Sequence, residues 1–248
     1  MARSGSARWE PILTEVAQLP DSWHSAGTLS DAALRALATH AGANRVEHSI
    51  ETGTGKSTLL LSHLSSDHKV FTIAGDRDSS YSSVLASPLL NKEAAEFVIG
   101  PTQETLPKYS FAHQLHICLL DGPHAYPFPD LEYYYVYPNI APDGLLVIDD
   151  IHIPTIFNLF TFLKEDAMFR LLEVVGTTAF FKRTSAPAFP RNEDNWWTQG
   201  YNIGRFPMSR WPEWGGWRPR IRNLVPISVR RRLKRLIPIG ARKWLIRS

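Results

Sequence analysis

The chain has 248 residues, 44% of them apolar and 21% charged, which is typical of a folded globular protein and excludes a largely disordered chain. Its single cysteine, Cys118, excludes an internal disulfide. No apolar run reaches the roughly 18 residues that cross a bilayer or resembles a signal peptide, so we expect a cytoplasmic protein. The net charge of +3 conceals a basic end, because residues 218–248 hold 11 of the 27 Lys and Arg residues and none of the 24 Asp and Glu residues.

Two helices are predicted first, at 11–19 and 30–41, with Ser30 as the N-cap of the second helix and Gly42 as its stop. Short apolar strands then alternate with amphipathic segments, a pattern typical of βαβ units in a parallel sheet. The strands are predicted at 45–51, 69–75, 95–100, 115–121 and 144–150. The helices of this region are predicted at 57–65, 79–90, 129–138 and 154–165.

Residues 169–184 break the alternation, because two β-rich runs are separated only by "GTT". This pattern predicts an antiparallel hairpin. The expected fold is therefore α/β: a Rossmann-like, doubly wound, mostly parallel sheet of seven strands that ends in a β-hairpin. We divide the chain into an N-terminal helical cap, an α/β domain, a Pro/Gly/Trp-rich arm and a basic amphipathic tail, at 1–42, 43–185, 186–217 and 218–248.

The stretch "SIETGTGKST" (49–58) looks at first like a phosphate-binding P-loop. Such a loop needs a glycine five residues before Gly55, and Ile50 occupies that position. The alternative is a strand, a tight turn and a helix, in which Gly53 and Gly55 let a ligand approach the backbone closely. We favour this alternative and expect Lys56, in the first turn of the helix, to be solvated.

Three acids follow two neighbouring predicted strands: Asp121 after the fourth, and Asp149 and Asp150 after the fifth. Their carboxylates should converge at one edge of the sheet, where a cation, a His or a Lys must offset the repulsion. Oxygen ligands of this kind suit Mg²⁺, so all three are candidate metal ligands. The alternative is that Asp121 contacts the substrate and that Asp149 or Asp150 caps the next helix.

Four stretches in order resemble the class I S-adenosylmethionine-dependent methyltransferases: "ETGTGKST", "GPTQETLP", "LLDGPHAY" and "APDGLLVIDDIH". The final hairpin fits as well, and the resemblance covers roughly 30–184. Within that class, the chain looks most like the small-molecule O-methyltransferase-like family, which includes macrolide-sugar methyltransferases and cephalosporin hydroxylase-like proteins. The resemblance implies S-adenosylmethionine as cofactor and, in several relatives, a divalent metal held by aspartates.

The resemblance also implies cofactor-binding residues. Glu51 matches the acid that reaches the amino-acid end of the cofactor, although it could instead be a surface carboxylate that caps the next helix. The acid that usually binds the ribose hydroxyls is replaced by Ala74, so we assign this role to Asp76. Gln103 and Glu104 lie in the loop that matches the adenine side, where either could contact the adenine or cap a short helix, and we name Gln103. Together with Gly53, Gly55 and Asp121, these residues complete the predicted cofactor site.

His124 and His152 come just after the acids, and a histidine can take the proton of an acceptor hydroxyl near neutral pH. We name His124, Asp121 and His152 as catalytic candidates, with His124 preferred because it lies inside a matching stretch. The expected activity is O-methylation, with or without Mg²⁺, of a small hydroxylated acceptor: a sugar, a glycan precursor or a natural product.

The end of the chain leaves several alternatives open. The Trp-rich part of the arm, 196–217, is either a lid over the site or a surface between subunits of a homo-oligomer. The basic tail is either a solvated segment or a peripheral contact with an anionic membrane at the inner surface of the cell. Nucleic acid is disfavoured as a partner, because no recognition motif accompanies the basic residues. A second hypothesis for the whole protein is a non-catalytic methyltransferase-fold domain that this tail recruits to a membrane.

Overall fold

The structure is a computed structural model that describes residues 5–20, 28–42, 45–74 and 80–205. The chain divides into two compact units after Arg191. In the described part of the second unit, a short 3₁₀ helix at Trp196–Thr198 precedes the last α-helix. The basic tail, 218–248, and the arm beyond residue 205 lie outside the described residues, so the predictions for them stay predictions.

One seven-stranded sheet forms the centre of the first unit. Its strands in chain order are β1 Val46–Thr52, β2 Ser65–Thr72, β3 Ala95–Ile99, β4 Leu115–Leu120, β5 Ile140–Ile148, β6 Phe169–Val175 and β7 Thr178–Arg183. Across the sheet the order is β3-β2-β1-β4-β5-β7-β6. The first five strands pair in parallel, and β7 runs antiparallel to both β5 and β6. The predicted mostly parallel sheet with a terminal hairpin is confirmed.

The helices of the described residues precede these strands or connect them, except α8, which follows the last strand. They are α1 Glu10–Ala17, α2 Asp31–Ala41, α3 Lys56–Leu64, α4 Ser80–Ala86, α5 Thr102–Thr105, α6 Phe128–Val136, α7 Pro154–Glu165 and α8 Gly200–Arg205. Helix α2 begins and ends as predicted. The Ser30 hydroxyl accepts a hydrogen bond from the Ala33 N–H at 3.2 Å, and Gly42 stops the helix with a φ of +86°.

Several boundaries differ from the predictions for physical reasons. Strand β2 begins at Ser65, four residues early, because its polar start pairs with β1 although its own composition does not favour a strand. Helix α4 ends at Ala86 and not at 90, since Pro88 cannot continue a helix. Strand β5 begins at Ile140, four residues early, because this residue pairs with the start of β4 before a bulge in the ladder.

The sheet carries an apolar core on each face, as a doubly wound fold requires. In β5, Leu145 and Val147 belong to one core, while the alternate residues Leu146 and Ile148 belong to the other. Helices α1, α2 and α3 pack into the first core, and α6 and α7 into the second. Cys118 is fully buried in the second core, as expected of a structural thiol.

The residues between β7 and Arg191, which are the last of the first unit, pack against the rest of that unit. The Tyr137 hydroxyl donates to the carbonyl of Phe189 at 2.8 Å, and the Arg191 guanidinium lies 4.9 Å from the centre of the Tyr134 ring. Among the described residues, no helix combines the length and the apolar character needed to cross a bilayer.

Candidate functional site

The carboxyl ends of β1, β4 and β5 lie together because these strands are neighbours in the sheet. The register pairs Thr52 of β1 with Leu120 of β4, and Leu120 with the last residue of β5. Gly53, Asp121 and Asp149 follow these positions directly, and the Asp149 N–H donates to the Leu120 carbonyl at 3.1 Å. In parallel α/β sheets, ligands bind at this edge. The glycine turn and the acids therefore share one edge of the sheet, as the sequence predicts.

The turn after β1 requires glycine at position 53. Gly53 has a φ of +90°, and a Cβ built on it would lie 2.3 Å from the backbone oxygen of Asp121. Any side chain would therefore push the turn away from β4. The Gly53 N–H donates to the Phe71 carbonyl of β2 at 2.9 Å, and the Gly55 N–H donates to the Thr58 hydroxyl at 3.0 Å. These contacts fix the turn against both neighbouring strands and against α3.

The geometry of this turn does not fit a P-loop. Ile50, at the position where a P-loop needs its first glycine, is a fully buried residue of β1. Between the two glycines, the hydroxyl oxygen of Thr54 is buried and has no hydrogen-bond partner among the described residues. An unpaired buried hydroxyl costs about 1–3 kcal/mol, which a polar group of a ligand would offset. The turn therefore fits a ligand that brings a polar group against Thr54.

Glu51 is fully buried at the end of β1, so it is not a surface carboxylate. One of its oxygens accepts a hydrogen bond from the Ser57 hydroxyl of α3 at 2.8 Å. The other lies 3.1 Å from Nε2 of His68 in β2, whose Nδ1 lies 2.7 Å from the Ser49 hydroxyl. The predicted contact of Glu51 with a cofactor stays a prediction. The sequence analysis missed His68, which no motif marks.

Lys56 does not match its prediction of a solvated side chain, since it is only 3% exposed. It is the first residue of α3, a helix with every residue except His63 buried. Helix α3 also contacts the two N-terminal helices, α1 and α2, and its leucines belong to the core that these helices share.

Two acids and one histidine form a group beyond the ends of β4 and β5. One ligand atom from each of Asp121, His124 and Asp150 lies within 4.8 Å of the others. His124 Nε2 is 3.3 Å from an Asp150 oxygen and 3.9 Å from an Asp121 oxygen. Asp150 has a φ of +55°, a left-handed conformation that aspartate adopts more readily than most residues. His152 is 60% exposed, and its Nδ1 lies 3.5 Å from Asp150.

Asp149, the third acid of the predicted metal set, has different neighbours. It is only 5% exposed, and one of its oxygens accepts hydrogen bonds from the Thr178 hydroxyl at 2.6 Å and the Thr177 hydroxyl at 3.3 Å. It thereby ties β5 to the hairpin. The group that the structure brings together contains His124 in place of Asp149, and the metal role of Asp149 stays a prediction.

The electrostatics of this group favour a proton or a cation between the acids. Burial, together with the charges of Asp149 and Asp150, raises the pKa of Asp121 to about 7, although the His124 imidazole acts in the opposite direction. The Asp121 carboxyl, and Asp150 beside it, raise the pKa of His124. Asp121 and His124 therefore both hold a proton more readily than the free side chains do, which is a property that acid–base chemistry uses.

Helix α6 contributes another buried carboxyl close to this group. Glu132 is 2% exposed, accepts a hydrogen bond from the Thr52 hydroxyl at 2.8 Å, and has its other oxygen unpaired among the described residues. The Thr52 hydroxyl in turn accepts the Asp121 N–H at 3.1 Å. Burial raises the pKa of Glu132 to about 7. A Cβ on Gly122 would lie 2.0 Å from the unpaired oxygen, so Glu132 also explains the glycine after Asp121.

Two cofactor candidates remain, Asp76 and Gln103. Asp76 lies outside the described residues, so its assignment stays a prediction, as does that of Gln103. Ala74, where the family usually has an acid, is exposed. Gln103 is an exposed residue of α5, which follows β3 at the same edge of the sheet.

Comparisons with known proteins agree with this geometry. Residues 50–151 match the family described as a methyltransferase domain, and this stretch contains the glycine turn and the acid–histidine group. No curated protein matches the sequence. Among solved structures, a candidate O-methyltransferase from Klebsiella pneumoniae superimposes with a TM-score of 0.54 at 13% identity, over 71% of this chain and 90% of that one.

Two further structures give the same result. The O-methyltransferase TomG from Streptomyces achromogenes, involved in tomaymycin synthesis and solved with S-adenosylmethionine, has a TM-score of 0.51 at 16% identity, over 70% of this chain and 90% of that one. An O-methyltransferase from Bacillus cereus, solved with S-adenosylhomocysteine, has a TM-score of 0.50 at 16% identity, over 70% of this chain and 91% of that one. The chain has the class I methyltransferase fold. The resemblance of the sequence to methyltransferases is confirmed at the level of the fold, and the stretch that matches the family, residues 50–151, contains the candidate site.

Proposed function

We propose that the protein is an S-adenosylmethionine-dependent methyltransferase that methylates a hydroxyl oxygen of a small acceptor. The observation that carries the proposal is the position of the Asp121–His124–Asp150 group beside the turn of Gly53. A methyl transfer requires a cofactor and an acceptor oxygen to be held in line, and orientation of this kind contributes about 7–11 kcal/mol to lowering the barrier. The cofactor turn and a group that can remove a proton lie at the same edge of the sheet.

The glycine turn would hold the cofactor. Gly53 and Gly55 leave the backbone accessible, and the unpaired Thr54 hydroxyl offers one hydrogen-bonding group. Glu51, Asp76, Gln103 and Asp121 complete the proposed set. When bound, S-adenosylmethionine supplies a methyl group on a positively charged sulfur, and a divalent cation lowers the pKa of a hydroxyl that binds to it.

His124 is the proposed base. Its Nε2 faces the two carboxyl groups. The His124 side chain is 43% exposed, so an acceptor can reach it. The Asp121 and Asp150 carboxylates stabilise the imidazolium that forms when His124 takes the hydroxyl proton. His152, which is more exposed and lies farther from Asp121, is a proposed auxiliary group.

The same acids are proposed to hold a divalent cation. Two carboxylates are the ligands that Mg²⁺ prefers, while an imidazole in the set also suits Mn²⁺. The donor set therefore fits a divalent cation, with Asp121, Asp150 and Asp149 as its ligands while His124 serves as the base, or with His124 in place of Asp149 when His124 does not serve as the base. TomG acts in the synthesis of a natural product. The acceptor proposed here is a natural product, a sugar or a glycan precursor, and the macrolide-sugar group of methyltransferases is the proposed subgroup.

One observation favours a second candidate function. Ala74 leaves the usual ribose-binding position without an acid, which would weaken cofactor binding unless Asp76 replaces it. A domain that has lost the cofactor would instead serve as a methyltransferase-fold module, recruited to an anionic membrane by residues 218–248. Peripheral location at the inner membrane surface belongs to this candidate, and a cytoplasmic enzyme belongs to the first.

Isothermal titration calorimetry with S-adenosylmethionine, with and without MgCl₂, tests the proposal. We expect saturable binding, and we expect Asp150→Asn to abolish any additional heat that Mg²⁺ or Mn²⁺ produces. Asp143→Asn is a matched control, because Asp143 also has a positive φ, of 65°, but lies at the opposite end of β5. The absence of any binding of S-adenosylmethionine, with or without the metal, would refute the enzyme and support the second candidate.

A further inference from the structure

The residues below the glycine turn form a buried polar chain that crosses two strands and a helix. Ser49, Glu51 and His68 are each 0–1% exposed, and Ser57 is 5% exposed. The chain runs from the Ser49 hydroxyl to His68, from His68 to one Glu51 oxygen, and from the other Glu51 oxygen to the Ser57 hydroxyl. Burying polar groups this completely costs free energy unless internal hydrogen bonds replace the bonds to water, as they do here.

The donors and acceptors of this chain match without a conflict. In the tautomer with the proton on Nε2, His68 donates to Glu51 and accepts from the Ser49 hydroxyl at Nδ1. The Ser57 hydroxyl donates to the second Glu51 oxygen. Each Glu51 oxygen thus has one internal partner, at 3.1 Å and 2.8 Å. The carboxyl is therefore directed at the base of the turn and at β2.

The Glu51–Ser57 hydrogen bond closes the glycine turn at its base. Glu51 precedes the turn and Ser57 follows it, so the bond joins the two ends of the loop that contains Gly53, Thr54 and Gly55. Strand β2 supports the same loop twice, through His68 and through the Phe71 carbonyl that accepts the Gly53 N–H. The position of the loop thus depends on a residue of β2 that no motif marks.

We propose that His68 is a positioning residue for cofactor binding, which acts through Glu51 and Ser57 to hold the glycine turn in the shape that receives S-adenosylmethionine or S-adenosylhomocysteine. The inference rests on the proposed function, since it assumes that the turn is the cofactor site. In this arrangement, Glu51 also acts through the turn. Its own contact with the cofactor is not required.

Two substitutions at His68 test the hydrogen bonds of its two ring nitrogens separately. His68→Gln places an amide N–H where Nε2 lies and keeps the bond to Glu51, whereas His68→Asn keeps only the bond to Ser49. We expect His68→Asn to weaken S-adenosylhomocysteine binding about tenfold, since one buried partner is left unpaired. We expect His68→Gln to bind within about threefold of the wild type. Ser57→Ala, which changes the volume of the core very little, removes the bond from the other end and should weaken binding in the same direction.

A second histidine–carboxylate pair in the same two strands provides the control. His48 of β1 and Asp67 of β2 also lie 3.1 Å apart, but they are partly exposed and lie toward the opposite edge of the sheet. His48→Asn should therefore leave S-adenosylhomocysteine binding unchanged. A residue that served stability alone would lower the melting temperature without changing the affinity of the folded protein, so the two effects can be told apart.

The experiment is calorimetry with S-adenosylhomocysteine on the full chain, at a temperature at which circular dichroism shows each variant to be folded. Weaker binding by His68→Asn and Ser57→Ala, with near wild-type binding by His68→Gln and His48→Asn, supports the proposal. Unchanged affinity in Ser57→Ala, or in a folded His68→Asn, overturns it while leaving the proposed function intact. A wild-type protein that does not bind S-adenosylhomocysteine overturns the proposed function, and this inference with it.

Discussion

The structure contains two histidine–carboxylate groups at one end of the sheet, and they differ in their access to solvent. Below the glycine turn, His68 and Glu51 have side chains that are 0% and 1% exposed, and all their partners are internal. Beyond β4 and β5, His124 and Asp150 have side chains that are 43% and 24% exposed. The same residue types thus shape the backbone in one place and are available for proton transfer in the other.

The largest effect is expected from Gly53→Ala, which changes the turn between the two groups. A Cβ at this position would lie 2.3 Å from the Asp121 carbonyl and would also require a φ of +90°. We expect a loss of at least about 2 kcal/mol in the free energy of unfolding, and loss of S-adenosylhomocysteine binding. Urea unfolding and calorimetry measure both quantities.

Gly42→Ala is the control for this substitution. Gly42 has nearly the same φ, +86°, but a Cβ there meets no atom within 4 Å. We expect a cost of only about 1 kcal/mol and no change in ligand binding. Equal effects of the two substitutions would show that the close approach to Asp121 has no special importance.

The next effect concerns Glu132 and the pH dependence of stability. Burial raises the pKa of this carboxyl from 4.5 to about 7 in the folded protein. Between pH 4.5 and 7 the folded state therefore binds more protons than the unfolded state, so the free energy of unfolding falls as the pH rises through this range. Glu132→Gln removes this contribution and should be more stable than the wild type at pH 8, by up to about 3 kcal/mol, and equally stable near pH 4.5.

Urea unfolding at several values between pH 4.5 and 8 measures this difference. In Glu132→Gln, the slope of the free energy of unfolding against pH should be reduced but not abolished, because the raised pKa of Asp121 acts in the same direction. Glu93→Gln, at an exposed position, should leave the slope unchanged. A Glu132→Gln protein with the wild-type pH profile would contradict the burial argument.

The smallest effect should distinguish the two histidines of the candidate site. His124 lies within the acid group, whereas His152 is 60% exposed and approaches only Asp150. We expect His124→Ala to weaken Mn²⁺ binding about tenfold and His152→Ala to change it less than about twofold. Mn²⁺ titration followed by electron paramagnetic resonance measures both affinities. A larger effect at His152 than at His124 would contradict a cation site formed by Asp121, His124 and Asp150.

The elements and their order could be predicted from the sequence because apolar strands alternate with helices over five units. The convergence of Asp121 and Asp150 also follows from the strand order alone. Two features could not be predicted. Lys56 is buried although it begins a helix, and His68 meets Glu51 through the pairing of β2 with β1. The second depends on contacts distant in the chain, which no local motif encodes.

The central claim is that the turn of Gly53 receives the cofactor on the same side as the Asp121–His124–Asp150 group. A crystal structure of the protein grown with S-adenosylhomocysteine tests it most directly. The account predicts that the ligand lies against residues 53–55, with its sulfur directed toward the edge where β4 and β5 end. A ligand bound at the opposite edge of the sheet, or a turn that moves away from β4 to admit it, would contradict the account.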